Sequence, residues 1–533
     1  MTQTQEFEQQ TKSLIDDLKA VCANYGLGND GNEFKIITQI FLYKFLNDKF
    51  VYEVKKLDKK IADANSVDEA LRSYSKDDYE MLMMRLGENT AQISPDQYIS
   101  SLFIRQNEPN FADLFDKTLL DIARDNSGIF SAVTNDGQKI ALFEDLSNYV
   151  RKDRDGFCKA IINKIVGFSF ENIFDKKFDF YASIFEYLIK DYNIDSGGKY
   201  AEYFTPHAVA KIMARCLVNK EVNNITCYDP SAGSGTLLMN LAHEIGEDKC
   251  TIYSQDISQK SSSLLRLNLI LNDLVHSIPN VVQGNTILES YHKTENGFDY
   301  IVANPPFKLD FSDYRDQLED SDQFFAGVPK VPAKKKDSMA IYLLFIQHII
   351  YSLSKTGKAA IVVPTGFITA QSGIDKTIRQ KLVEEKMLSG VISMPSKIFA
   401  TTGTNVSIIF IDKENKGDIV LIDASNLGKK VKDGKNQKTI LSDSDEQKII
   451  DTYSIKEAID NFSIVVSYED IAAKNFSLSA GQYFDVKIVY EDITSEQFTE
   501  KMEVFYNNFD SLLDHSRDLE AEIKKQMERL KYE

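Results

Sequence analysis

The chain has 533 residues, 43% of them apolar and 27% charged, with a formal net charge of −18. That length supports two to four domains with real cores, and the composition excludes a disordered chain. The negative charge excludes a protein that coats nucleic acid unaided, so any work on DNA calls for basic surface from a partner. Five scattered cysteines without a C-x-x-C, and six histidines without an H-x-x-x-H, give neither a disulfide framework nor a metal site. The opening residues show no basic-then-apolar leader, and the most apolar runs are short or interrupted by Lys. The expectation is a cytoplasmic protein with no membrane span.

Residues 1–165 read as an N-terminal helical domain. Phe7, Leu14, Leu18 and Val21 form one apolar stripe at helical spacing. Phe34, Ile37, Phe41 and Phe45 form another, with Lys35, Lys44 and Asp48 off it. Strand signals are sparse here.

Residues 166–415 carry the motifs. Phe178 to Tyr192 reads as an amphipathic helix. Thr205 and Pro206 then suit the cap and first turn of the next helix, after Tyr203 and Phe204. Ile225 to Met239 reads as strand, Gly-containing turn and helix. Gly233 and Gly235 let the backbone approach a ligand, and the helix start favours an anionic group such as a carboxylate. The spacing is neither a full G-x-G-x-x-G nor a P-loop. Asp229, at the strand end, suits a cofactor that carries an amine. A second strand ends at Asp256, at the distance where an acid commonly takes ribose hydroxyls. A third brings Asn285 to the same edge, where an amide can read an adenine.

The fourth strand, Phe298 to Ala303, runs into Asn304-Pro305-Pro306-Phe307. The two prolines lack N–H groups and have fixed φ, so the ladder stops in a rigid turn. That turn offers an amide, free carbonyls and a flat ring, which together suit an exocyclic amine on a planar base. Lys308 to Lys336 reads as an irregular loop. Asp337 opens an apolar helix running to about Ser354, and Lys358 to Pro364 reads as the next strand. Leu388 to Pro395 and Val406 to Ile411 then finish the sheet, with an antiparallel edge.

Residues 416–490 read as a mixed extension. Within it, Asn426 to Lys438 holds five lysines against one Asp and reads as a basic loop. Residues 491–533 read as an amphipathic helix. Met502, Phe505, Phe509, Leu512, Ser516, Leu519, Ile523, Gln526 and Leu530 make a heptad seam that either folds back or pairs with another subunit.

Tyr203-Phe204-Thr205-Pro206, Asp229-Pro-Ser-Ala-Gly-Ser-Gly and Asn304-Pro-Pro-Phe, in that order, resemble the amino-methylating DNA methyltransferases. With the flanking domains, the chain resembles the modification subunit of type I restriction–modification systems. The resemblance implies an α/β, class I S-adenosylmethionine-dependent methyltransferase fold: a doubly wound, mostly parallel sheet with an antiparallel edge, an N-terminal helical domain and a C-terminal helical tail. It implies methylation of adenine N6 in double-stranded DNA, with Asn304, Pro305, Pro306 and Phe307 at the reacting amine. Glu202, Tyr203, Phe204, Thr205, Pro206, His207, Ser231, Ala232 and Gly233 would line the cofactor's methionine part, and Asp256 would hold its ribose. Phe307 and Phe399 would stack on the flipped base. The family usually has Asp at 285 and Arg at 207, where this chain has Asn285 and His207. The implied partners are a specificity subunit, a second modification subunit and a restriction subunit. The rival readings are a protein glutamine N-methyltransferase and a non-enzymatic scaffold.

Overall fold

The structure is a computed structural model; it describes every residue except 1–2, 29–30, 88, 175–182, 185–186, 189–204, 294, 400–403, 434–435, 485–492 and 530–533. Two units are described separately, Met1–Tyr483 and Phe484–Glu533.

The first unit is built on one sheet. Its strands, in chain order, are β1 (Ala132–Thr134), β2 (Lys139–Ile140), β3 (Ile225–Asp229), β4 (Cys250–Asp256), β5 (Val281–Gln283), β6 (Phe298–Ala303), β7 (Leu353–Pro364), β8 (Leu388–Ser393), β9 (Val406–Asp412), β10 (Ile419–Asp423) and β13 (Ser463–Val466). Two more, β11 (Lys429–Asp433) and β12 (Asn436–Ile440), pair only with each other. The sheet order is β13-β10-β8-β9-β7-β6-β3-β4-β5-β1-β2. Neighbours from β7 through β1 are parallel, as are β8 and β10. β9 is antiparallel to both β7 and β8, and the rim strands β2 and β13 are antiparallel to theirs. The central strands are continuous apolar runs because both faces are covered. In β6, five of six residues are buried, and in β9 six of seven.

Several local expectations change. The N-terminal region is not purely helical, since β1 and β2 leave it to extend the sheet beside β5. Its helix Glu33–Leu57 is buried on all sides from Ile40 to Phe50. Lys44 and Asp48, placed off the apolar stripe by spacing, are themselves buried and paired at 2.9 Å. Asp48 also accepts the Phe170 N–H, and burial pushes its pKa up. The apolar helix after residue 337 begins only at Tyr342 and ends at Ser352. β7 follows at once from Leu353, with no turn between them. β8 and β9 do not finish the sheet, because β10 and β13 extend it. The segment 308–336 is no simple solvated loop: Phe311, Leu318, Phe324 and Val328 pack with Ile287 and Leu344 in a small core of their own. The basic stretch is the β11–β12 hairpin.

The second unit is described by the helix Ser495–Arg529. Among its described residues Phe505, Phe509, Leu512, Leu519 and Ile523 are exposed, and the Phe505 and Phe509 rings stack on each other at 6.3 Å. The predicted helix 178–192 and Leu530 lie mostly or wholly outside the described residues. Among the described residues no helix is long and apolar enough to cross a membrane, and no cluster of His, Cys, Asp or Glu is arranged to hold a metal.

Candidate active site

Parallel strands bring their carboxyl ends to one edge, and four polar strand ends meet there. β3 ends in Asp229, β4 in Asp256, β5 leads to Asn285 and β6 to Asn304. The loop after β3 turns twice through positive φ, at Gly233 (53°) and Gly235 (83°), before the helix Thr236–Ile245. A side chain at 235 would be strained by φ and would overlap the Leu265 Cδ1 methyl.

The two carboxylates hold this loop. Asp229 Oδ1 accepts the Ser231 N–H at 2.9 Å. Asp256 Oδ2 accepts the Gly233 N–H at 2.9 Å and its Oδ1 accepts the Ser258 N–H at 2.8 Å. Thr286, beyond β5, donates to the Pro230 carbonyl at 2.7 Å. Burial raises the Asp229 pKa to about 8; the Ser231 N–H opposes this, and the nearby Asp256 charge adds to it. Asp256 is raised as well, chiefly by burial. No hydrogen bond reaches Asp229 Oδ2 among the described residues, so a cationic amine would find an acceptor there and would restore the ionised form.

Asn304 is 8% exposed. Its Nδ2 donates to Thr205 Oγ1 at 3.1 Å, which turns Oδ1 the other way. Thr205, Asp229, Ser231, Ala232, Leu237 and Asn304 line one narrow cleft. Thr205 therefore does not cap the helix His207–Leu217. Pro206 occupies the cap position without a side-chain bond, and the Thr hydroxyl orients the Asn304 amide instead. Pro305 is buried, Pro306 and Phe307 are half-buried, and the Phe307 ring meets Tyr342 edge-on at 6.3 Å and 78°.

Asn285 uses its Oδ1 to accept the N–H groups of Ile287 and Leu288, both at 3.2 Å, so that oxygen shapes its own loop. His207 and Pro206 are half-buried at the helix start. Glu202, Tyr203 and Phe204 lie outside the described residues. Phe399 is 5% exposed and packed in the main core with Ile398 and Met394.

Sequence reasoning missed Asn135. It follows β1, where its N–H donates to the Gln283 carbonyl at 3.1 Å. Its Oδ1 accepts from Gln255 Nε2 at 2.9 Å, and Gln255 also donates to the Glu289 carbonyl at 2.8 Å. The N-terminal hairpin thus braces the Asn285 loop. Nothing in a three-residue strand flags this.

Residues 176–492 match the family described as N-6 DNA Methylase. The chain belongs to the N-6 DNA methylase family. The methylase is 28% identical over 379 residues to the type I restriction enzyme MpnII methylase subunit of Mycoplasma pneumoniae, covering 69% of this chain and 67% of that one. It is 24% identical over 501 residues to the MjaVIII methylase subunit of Methanocaldococcus jannaschii, covering 90% and 79%. Its fold is similar to a type I restriction–modification methyltransferase subunit from Streptococcus thermophilus, with a TM-score of 0.71 at 23% identity, over 90% of this chain and 100% of that one.

Proposed function

We infer that this methylase transfers a methyl group from S-adenosylmethionine to adenine N6 in double-stranded DNA, in the cytoplasm, as the modification subunit of a type I restriction–modification complex. The family and the methylase subunits named above support the reaction and the complex. The observation that carries the site assignment is the shared cleft in which Asn304, oriented by Thr205, faces Asp229.

The cofactor fits the donor set: a buried carboxylate for its amine, a Gly turn whose backbone a ligand can approach closely, and an acid one strand over for its ribose. S-adenosylmethionine supplies the electrophilic methyl group. Glu202, Tyr203, Phe204, Thr205, Pro206, His207, Ser231, Ala232 and Gly233 would hold its methionine part, and Asn285 would meet its adenine. The adenine amine is a poor nucleophile because its lone pair is delocalised into the ring. Asn304 Oδ1 and the Pro305 carbonyl each accept one of its N–H groups, which favours sp³ character and aims the lone pair. Rate then comes from position and electrostatics rather than from a strong base. The base must leave the duplex, at a cost of a few kcal/mol. Stacking on Phe307 offsets roughly 1–3 kcal/mol of that. A role for Phe399 as second stacking ring requires the turn that buries it to open.

Residues 1–165 are assigned as the helical domain, 166–415 as the catalytic domain, 416–490 as an extension and 491–533 as the assembly helix. The seam on that helix supports pairing with a specificity subunit and, through it, with a second modification subunit and a restriction subunit. Incubating the complex with methyl-labelled cofactor and either duplex DNA or a glutamine-bearing protein tests the reading. Label is expected in DNA as N6-methyladenine; label in glutamine would establish the rival, and label in neither would leave a scaffold.

A further inference from the structure

We propose that the lysine-rich β11–β12 hairpin, together with Lys397, is a docking surface for the phosphate backbone of DNA flanking the methylated base. The proposal rests on the methyl-transfer reading and adds to it the place where the duplex is held.

Sheet direction puts the hairpin at the catalytic edge. β6 and β7 are parallel. β9 is antiparallel to β7 and to β8, so β8 runs the same way as β6. The turn that leaves β8, Met394 to Lys397, therefore emerges at the edge that carries Asn304. Three strand spacings separate β8 from β6, which is about 14 Å at about 4.8 Å each. That spans about four base-pair steps of about 3.4 Å.

The hairpin is fastened to this turn. Thr439 donates its N–H to the Lys397 carbonyl at 3.0 Å and its hydroxyl to the Ser396 carbonyl at 2.7 Å. Lys397 Nζ donates to Gln437 Oε1 at 2.9 Å. Cross-strand register pairs Lys430 with Thr439 and Lys432 with Gln437, so both lysines share the face that meets Ser396 and Lys397. Gly428 enters the hairpin at φ 83°, where a Cβ would press on Thr439 and the Ile440 carbonyl. Lys397 itself sits at φ 59°, a conformation costly for a side-chain-bearing residue.

The charge is uncompensated. Lys397, Lys429, Lys430 and Lys432 are exposed, and among the described residues none pairs with a carboxylate. In a chain of net charge −18, a cluster of exposed cations carried on a paired hairpin at the reactive edge is complementary to phosphate.

The test replaces Lys397, Lys430 and Lys432 together by Gln in the full chain, assembled in its complex. Affinity for a duplex carrying the methylated sequence is measured across a salt series. The slope of log affinity against log salt is expected to flatten by about 0.9 for each lysine that met a phosphate, up to about 2.7 for three. Affinity for S-adenosylmethionine and the turnover at saturating DNA stay unchanged, and the triple Lys→Arg variant keeps the wild-type slope. A wild-type complex that methylates DNA, with a triple Gln variant of unaltered slope, overturns the hairpin surface alone. A wild-type complex that transfers no methyl group to DNA overturns the parent reading and this one with it.

Discussion

Replacing Asp229 by Asn separates what this residue costs the fold from what it gives the cofactor. Burial, aided by the Asp256 charge, holds its pKa at about 8 against an ordinary 3.8. A carboxyl raised on folding favours the native state most below its unfolded pKa, and that contribution is lost as pH rises toward the folded pKa, here between about 4 and about 8. At pH 7 the folded group still keeps its proton while the unfolded one has lost it about three units earlier. At about 1.36 kcal/mol per unit, the cofactor-free protein is destabilised by at most about 4 kcal/mol. Asn never ionises, and its amide oxygen still accepts the Ser231 N–H. Asp229→Asn is therefore expected to stabilise the cofactor-free protein by about 2–4 kcal/mol at pH 7 while removing the partner for the cofactor's amine. The chain has no Trp, so unfolding is followed by far-UV circular dichroism from about pH 5 to about pH 8, with cofactor binding by calorimetry. The gap between variant and wild-type melting should widen as pH rises, and cofactor affinity should fall at least tenfold. A variant that melts with or below wild type across that window, or a gap that does not grow with pH, refutes the reasoning.

Gly235→Ala places a Cβ at φ 83° against Leu265. It should lower stability by about 1–3 kcal/mol, read as a melting shift, and weaken cofactor binding. Asn135→Ala strips the brace on Gln255 and the Asn285 loop. The KM for S-adenosylmethionine should rise several-fold with little change in kcat, because the residue touches neither reacting atom. Truncation after residue 494 removes the helix Ser495–Arg529. Light scattering should then show loss of subunit assembly, with cofactor binding retained.

The strand ends of the site were legible because apolar runs there stop at Pro, Gly or Asp, and such punctuation survives any packing. β6 before Asn304-Pro305 and β3 before Asp229-Pro230 are the clearest cases. What depends on packing between distant segments was not legible. β1 is three residues long and shows no period; only its pairing with β5 and β2 makes it a strand. The polar residues Ser354 to Gly357 read as the break between the helix and the next strand, yet β7 already begins at Leu353 and runs through them. Lys and Gly content made β11–β12 read as a loop, although ten residues pair there in register. Thr205 read as a cap from its neighbour Pro206, yet its partner lies 99 residues on, at Asn304. Phe399 shows the converse: the resemblance makes it a second ring for the flipped base, and the side chain lies buried beside Ile398 and Met394.

The most direct measurement is single-turnover methyl transfer by Asn304→Ala, with cofactor affinity determined on the same preparation. Methyl transfer to adenine is expected to fall by a factor of about 10²–10³ or more. Cofactor affinity should stay within about twofold of wild type. Wild-type transfer by this variant would contradict the role given to the Asn304 amide, and with it the claim that the proline-locked turn after β6 activates the base.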